Sequence, residues 1–225
     1  MRSCCVRELG RMDYGQALEL QRQLANERKQ GLIPDQLLLV EHPHVITLGR
    51  NGHLENLLAS DEVLRRAGIS FYPVDRGGDV TYHGPGQLVG YPILDLNEWK
   101  RDVRAYVRGI EQVIIDMLAD FDIAAGRIPN LTGVWVGEQK IAAIGVHISR
   151  WVTSHGFALN VSTDLQYFQY IVPCGLTKPV TSMARLGCRA GLEEVSQSLA
   201  VHFGRVFDCE VLSETPVLAT PEREN

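Results

Sequence analysis

Apolar residues recur along this chain at two periods, and the places where one period gives way to the other mark out its elements. Over residues 13–30, Ala17, Leu20 and Leu24 fall at helical spacing before Gly31 and Pro34 close the segment, which predicts an amphipathic helix with Arg22, Glu27, Arg28 and Lys29 on a solvated face. Short apolar runs at 37–40 and 45–48 read as strands, Ser60 caps a short helix ending at Gly68, and residues 69–74 and 88–94 return as strands. Asp102 caps the clearest helix, where Val103, Val107, Ile110, Ile114, Met117 and Phe121 form one stripe assigned to the core. Residues 133–136 and 140–148 form a hairpin about Gly137, a further strand covers 154–161, and Leu192, Val195, Leu199, Phe203 and Val206 mark a final helix. Along the second hairpin strand Lys140, Ala142, Ile144 and Val146 share one face, with Ile141, Ala143, Gly145 and His147 on the other. With no repeat or linker to divide it, the chain is expected to be one α+β domain over residues 1–212 with a polar tail at 213–225.

Between two of these strands lies Arg76-Gly77-Gly78-Asp79-Val80-Thr81-Tyr82-His83, followed by Gly84-Pro85-Gly86-Gln87. Its glycines let the backbone approach a ligand closely, and Arg76, Asp79, Thr81, His83 and Gln87 supply polar groups on that frame. The competing interpretation is a hairpin turn whose glycines serve geometry alone. Lys140 has two readings as well: a strand-end side chain pointing to water, or an amine held out of it.

The 225 residues carry a net charge of −5, which argues against nucleic acid as the main partner, and 45% hydrophobic content is ordinary for a globular chain. No segment has the apolar length of a membrane span or the pattern of a signal peptide, so a cytoplasmic protein is expected. Five cysteines without a C-x-x-C pair suggest neither a disulfide framework nor a zinc ribbon. His42 and His44 flank Pro43 without a matching ligand cluster, so no metal is assigned. Cys4 and Cys5 lie near the terminus, which is taken as flexible, and Cys188 and Cys209 sit beside the last helix. Cys174, on a turn between Pro173 and Gly175, is presented as an accessible nucleophile would be.

Taken together, the glycine-rich stretch 76–87, Lys140-Ile141-Ala142-Ala143-Ile144-Gly145 and Pro173-Cys174-Gly175 closely resemble the lipoyl(octanoyl) transferases, over residues 8–211. The resemblance implies a mixed β-sheet packed with helices, similar to the biotin and lipoate protein ligase catalytic domains. It also implies that Cys174 forms an acyl-thioester tuned by Lys140. The acyl pocket then falls to Arg76, Gly77, Gly78, Asp79, Val80, Thr81, Tyr82 and His83, to Ala143, Ile144 and Gly145, and to Gly156, Phe157 and Ala158. The implied donor is octanoyl-acyl carrier protein; the implied acceptors are lipoyl domains of 2-oxoacid dehydrogenase complexes and the glycine-cleavage H protein. No cofactor is implied.

In that chemistry a thioester-to-thioester step is nearly level and thioester-to-amide runs downhill, so no nucleotide is needed. A cysteine of ordinary pKa is only about 3% thiolate at neutral pH, a deficit that a neighbouring ammonium corrects. Lys140 is expected to stabilise the thiolate first and serve as general base second, with His83 as competitor for the base. Arg101, Arg104 and Arg108, or Lys178, Arg185 and Arg189, are candidates for a basic docking rim. Three alternatives stay open: an ATP-dependent lipoate or biotin ligase on the same scaffold, a non-catalytic acyl-binding protein, and a cysteine hydrolase pairing Cys174 with His147 or His155.

Overall fold

The computed structural model describes residues 2–172 and 178–213, so Cys174 with its flanking Pro173 and Gly175, and the tail from residue 214, lie outside the described residues. In chain order the elements are β1 (Arg2–Arg11), α1 (Tyr14–Lys29), β2 (Asp35–Glu41), β3 (Val45–Leu48), α2 (Asp61–Arg66), β4 (Ser70–Pro73), β5 (Val80–His83), β6 (Gln87–Ile93), α3 (Val103–Ala119), β7 (Gly126–Ile128), β8 (Leu131–Val136), β9 (Gln139–Ser149), β10 (Val152–Asn160), α4 (Leu192–Phe207) and β11 (Cys209–Ser213). The helix starts follow the capping signals. Asp13 accepts the Gly15 N–H at 2.8 Å and Asp102 the Ala105 N–H at 3.0 Å, each satisfying a donor that the first turn leaves without a partner.

Eight strands form one mixed sheet in the order β11-β1-β2-β6-β10-β9-β8-β7, parallel among the first three and antiparallel thereafter. One face carries Leu37, Leu39, Phe157 and Leu159 against Ile110, Ile114 and Met117 of α3 and Leu199 and Phe203 of α4. The opposite face carries Leu38, Val40, Val89 and Ala158 under Ala17 and Leu24 of α1. This is the expected mixed sheet packed with helices. A second sheet, β4-β3-β5, forms its own cluster around Ile46, Val80 and Tyr82 with Leu64 of α2. Among the described residues no helix is long and apolar enough to cross a membrane.

Three expectations need correction. The N-terminal residues are not flexible: β1 runs between β11 and β2, and Cys4 is fully buried against Cys209 in the core on the α3/α4 side. Arg28 is not on a solvated face, because Asp35, buried at the start of β2, draws it in at 2.9 Å while also taking Arg2 at 2.7 Å. The glycine-rich stretch is not one loop, since Val80–His83 is a strand that pairs antiparallel with β3.

The irregularity that matters most for the site lies in β9. Trp135 of β8 pairs with Lys140 but the next residue back, Val134, pairs with Ala142, leaving Ile141 as an extra residue, a β-bulge. Ile141 and Ala142 both enter the core beside Val134, so the alternation expected from the sequence loses its phase at Lys140. Lys140 joins Ala143 and Gly145 in a cavity wall instead of following Ala142 into the core.

Candidate active site

Beyond Ala142, β9 has β10 on one side, while among the described residues β8 no longer pairs along its other edge. The glycine-rich motif covers this edge. The Gly77 N–H donates to the Val146 carbonyl at 2.9 Å, bringing the motif down onto β9. The approach depends on Gly145, because a Cβ there would stand 2.7 Å from the Gly77 carbonyl oxygen, closer than packed atoms tolerate. Arg76, which opens the motif, is buried and turned into the small sheet, giving hydrogen bonds to the Thr47 carbonyl and hydroxyl, both at 2.8 Å.

Beneath the motif lies a cavity of about 370 Å³. Val80, Ala143, Ile144, Phe157, Ala158 and Val89 give it apolar walls, and Lys140, Thr81, His83 and Tyr14 contribute polar groups. Twelve of the fourteen pocket residues expected from the sequence line it: Arg76, Gly77, Gly78, Val80, Thr81, His83, Ala143, Ile144, Gly145, Gly156, Phe157 and Ala158. Asp79 and Tyr82 do not. Tyr82 points into the small-sheet cluster, stacking on Tyr167 at 5.3 Å. Asp79 braces the loop from behind, accepting from the His53 and Val80 N–H groups and from the Asn56 side chain.

Sequence reasoning missed several lining residues. Val107, a member of the α3 core stripe, also reaches the cavity, together with Asn130 just before β8 and Leu131 and Thr132 at its start. Tyr14, Tyr91 and His155 close it from the α1 side. His155 holds φ at +54°, a strained value for a non-glycine residue; its N–H is taken by Gln21 of α1 at 2.9 Å and its Nε2 by Asp75 at 2.8 Å. Burial pushes His155 below the usual imidazole range despite that carboxylate. Asp75, with burial opposing, is held below the usual carboxylate range by the same hydrogen bond. His147 is not on this cavity: it lines a second one of about 230 Å³ beside α1, with its Nδ1 3.2 Å from Arg50.

His83 has a defined protonation state. The Gln87 amide donates to the Tyr82 carbonyl at 3.2 Å and to Asn160 Oδ1 at 2.9 Å, so its oxygen must accept, at 2.8 Å, a proton carried on His83 Nδ1. Nε2 then presents a lone pair. Burial, and next the proximity of His42, push His83 down to about 3, so the ring is neutral at ordinary pH. The chain continues: Asn160 donates to the Thr181 carbonyl at 3.0 Å, and Thr181 N–H to the Lys140 carbonyl at 3.0 Å.

Lys140 is therefore fixed at its backbone from both directions, since its own N–H donates to the Pro179 carbonyl at 2.9 Å. Its side chain is buried, with Nζ 4.8 Å from the centre of the Trp135 ring. Pro179 and Thr181 follow the segment that carries Cys174, and Val172, just before it, donates to the Asn56 carbonyl at 2.8 Å. Both described flanks of that segment are thus tied to residues at the cavity or to the brace behind its loop. Of the basic groups considered as a rim, Arg108 is drawn to Glu111 at 2.7 Å, Arg101 lies over Trp151 and Lys178 pairs with Glu138; Arg104, Arg185 and Arg189 are exposed, as are Arg101 and Arg108. Among the described residues no group of three His, Cys, Asp or Glu side chains gathers as a metal site would need, and His42 is engaged by the Met12 carbonyl and the Tyr91 hydroxyl, both at 2.8 Å.

Residues 13–204 match the lipoyl protein ligase A/B catalytic domain family. The chain is 76% identical over 212 residues to an octanoyltransferase of Solibacter usitatus, covering 94% of this chain and 96% of that one. In fold it is similar to lipoate-protein ligase A solved with ATP, with a TM-score of 0.76 at 17% identity over 96% of this chain and 90% of that one. It is also similar to a biotin protein ligase from Aquifex aeolicus, with a TM-score of 0.55 at 12% identity over 90% and 70%. The chain belongs to the lipoyl protein ligase A/B catalytic domain family and, within it, to the octanoyltransferases, enzymes that transfer an octanoyl group in protein lipoylation.

Proposed function

We propose that this octanoyltransferase takes its acyl group from octanoyl-acyl carrier protein, carries it as a thioester on Cys174, and delivers it to a lysine amine of a lipoyl carrier domain. The observation that carries this reading is the buried Lys140 in the wall of an apolar cavity, with its backbone tied to the residues that follow Cys174 in sequence. In the first half-reaction the Cys174 thiolate attacks the donor thioester carbonyl, the C–S bond to the carrier breaks, and the carrier thiolate leaves with the proton of the Lys140 ammonium, so that Lys140 is left as a neutral amine. In the second, the acceptor amine attacks, its proton passes to Lys140, and Cys174 departs as thiolate. The acceptor step is the demanding one, because a free lysine is neutral about once in 2500 molecules at pH 7, a handicap of about 4.6 kcal/mol. A base beside the attacking amine offsets part of it.

His83 is the weaker candidate for that base. Its imidazole is held at about 3, so accepting a proton from an ammonium runs uphill by roughly seven units. Its neutral ring and its place in the wall favour a lining and bracing role. The alkyl chain itself contributes binding: burying about six methylenes against Val89, Ala143, Ile144, Phe157 and Ala158 is worth about 5 kcal/mol before ordering costs. The donor and acceptor proteins are those that kinship with the octanoyltransferases implies; Arg104, Arg185 and Arg189 are exposed cations suited to acidic carriers. A cysteine hydrolase built on His147 is disfavoured, because that ring lines the other cavity.

The reading is tested by supplying octanoyl-acyl carrier protein and an apo lipoyl domain without nucleotide. Octanoylated domain is expected; product only from free octanoate and ATP would identify a ligase instead. Ala143→Leu fills the slot, so kcat/KM for an octanoyl donor is expected to fall at least about tenfold while a butyryl donor loses far less. Equal losses for both chain lengths would remove the acyl chain from this wall. His83 also makes a stability prediction. Its folded value lies below the unfolded one near 6.5, so acid protonates the unfolded chain first, and the stability present above pH 6.5 is lost as pH falls towards 3. Between pH 7 and pH 5 the expected loss from this residue is about 2 kcal/mol, and urea titrations of His83→Gln should show the acid sensitivity reduced by that order. An unchanged pH dependence would contradict the neutral, buried assignment.

A further inference from the structure

Trp135 is buried to 2% exposure, yet it belongs to none of the apolar clusters that make the cores of the two sheets. Its indole N–H is buried and, among the described residues, has no hydrogen-bond partner. Among the described residues, hydrogen bonding therefore does not account for a tryptophan here. What the ring does have is Lys140: the two residues face each other across β8 and β9, and Nζ sits 4.8 Å from the ring centre, within the range where an ammonium is held by the negative face of an aromatic ring.

The surrounding backbone enforces this placement. The bulge at Ile141 takes Lys140 out of the phase of Ala142 and turns it to Trp135. The lysine stem runs past Gly133, which holds φ +127° and can carry no Cβ because one would lie 2.7 Å from the Ala142 carbonyl oxygen; Lys140 Cε is in ordinary contact range of that position at 3.4 Å. The Gly133 N–H is fixed by Glu111 at 3.1 Å, and that buried carboxylate is itself held by Arg108 and Arg127. The stem is thus confined by a glycine on one side and its charged end by an indole face on the other.

We propose that Trp135 is a positioning residue for octanoyl transfer, its indole face holding the Lys140 ammonium at the cavity wall so that the charge stands ready for the thiolate before any substrate arrives. This deepens the role proposed for Lys140 and rests on it. An aromatic face attracts the ammonium and has no comparable hold on the neutral amine. Formation of the acyl-enzyme, which uses the charged form, therefore depends on Trp135 more than the later transfer to the acceptor does.

The test replaces Trp135 site-specifically with mono-, di- and trifluorotryptophan, which drain the ring face of negative charge with little change in shape. The single-turnover rate of acyl-enzyme formation from octanoyl-acyl carrier protein is followed by intact mass. The logarithm of that rate is expected to fall in step with the cation-binding strength of the ring, by about 2- to 30-fold over the series, with Tm unchanged. Trp135→Phe should retain part of the rate and Trp135→Leu the least, while transfer to the acceptor from preformed acyl-enzyme should change by a smaller factor. A flat series would overturn the proposal even if Trp135→Leu fails to fold. Lys140→Ala separates the two claims: if it acylates and transfers at the native rate, the lysine assignment fails; if it collapses the reaction while the series is flat, only the Trp135 proposal fails.

Discussion

One extra residue in one strand organises this site. Without the bulge at Ile141, Lys140 would follow Ala142 onto the face that α3 and α4 cover, and its charge would enter an apolar core at a cost of several kcal/mol. With it, the amine comes to the cavity wall. Past the same point β8 ceases to pair with β9, so the carbonyl of Val146 is open to the Gly77 N–H and the glycine motif can roof the cavity. Position of the amine, opening of the strand edge and seating of the loop share a single backbone cause.

The proposed route makes strict geometric demands. In it the exchange between thioesters is nearly level and the acceptor step is the demanding one, so the protein has to hold groups in place, which here falls to buried polar chains. His83, Gln87, Asn160 and Thr181 run as one series of hydrogen bonds to the Lys140 backbone, and each member would be costly to leave unpaired in so dry a setting. Asp79, Asn56 and Val172 form the corresponding brace on the other side of the glycine motif. The strained backbone at His155 belongs to the same economy: Gln21 and Asp75 fix a residue that neither strand geometry nor its own preference would hold there.

The parts of the fold visible in the sequence were those with a sustained period or a cap. The α3 stripe after Asp102 and the α1 segment after Asp13 lie within a residue or two of their expected ends. β1 and β11 were not foreseen, because Arg2–Arg11 mixes charge and thiol with little alternation and reads as a terminus unless its neighbours are known. β5 was hidden among glycines, and with it the alternation that sends Thr81 and His83 to the cavity but Tyr82 away from it. A bulge leaves no mark in composition, so the phase of Lys140 was beyond reach, as was the placement of Trp135 opposite it. The glycine motif, the Lys140 strand and the Gly156-Phe157-Ala158 segment were legible through their resemblance to a family, and the structure brings members of all three to one cavity.

The proposed route requires the acyl group to pass through the Cys174 sulfur. The most direct measurement is to quench the enzyme seconds after mixing with octanoyl-acyl carrier protein in the absence of acceptor, determine its intact mass, and map any adduct by peptide sequencing. A single octanoyl increment, labile to hydroxylamine and located on Cys174, is the predicted result. An adduct on another residue, or product formed at the native rate by Cys174→Ser with no covalent intermediate, would contradict it.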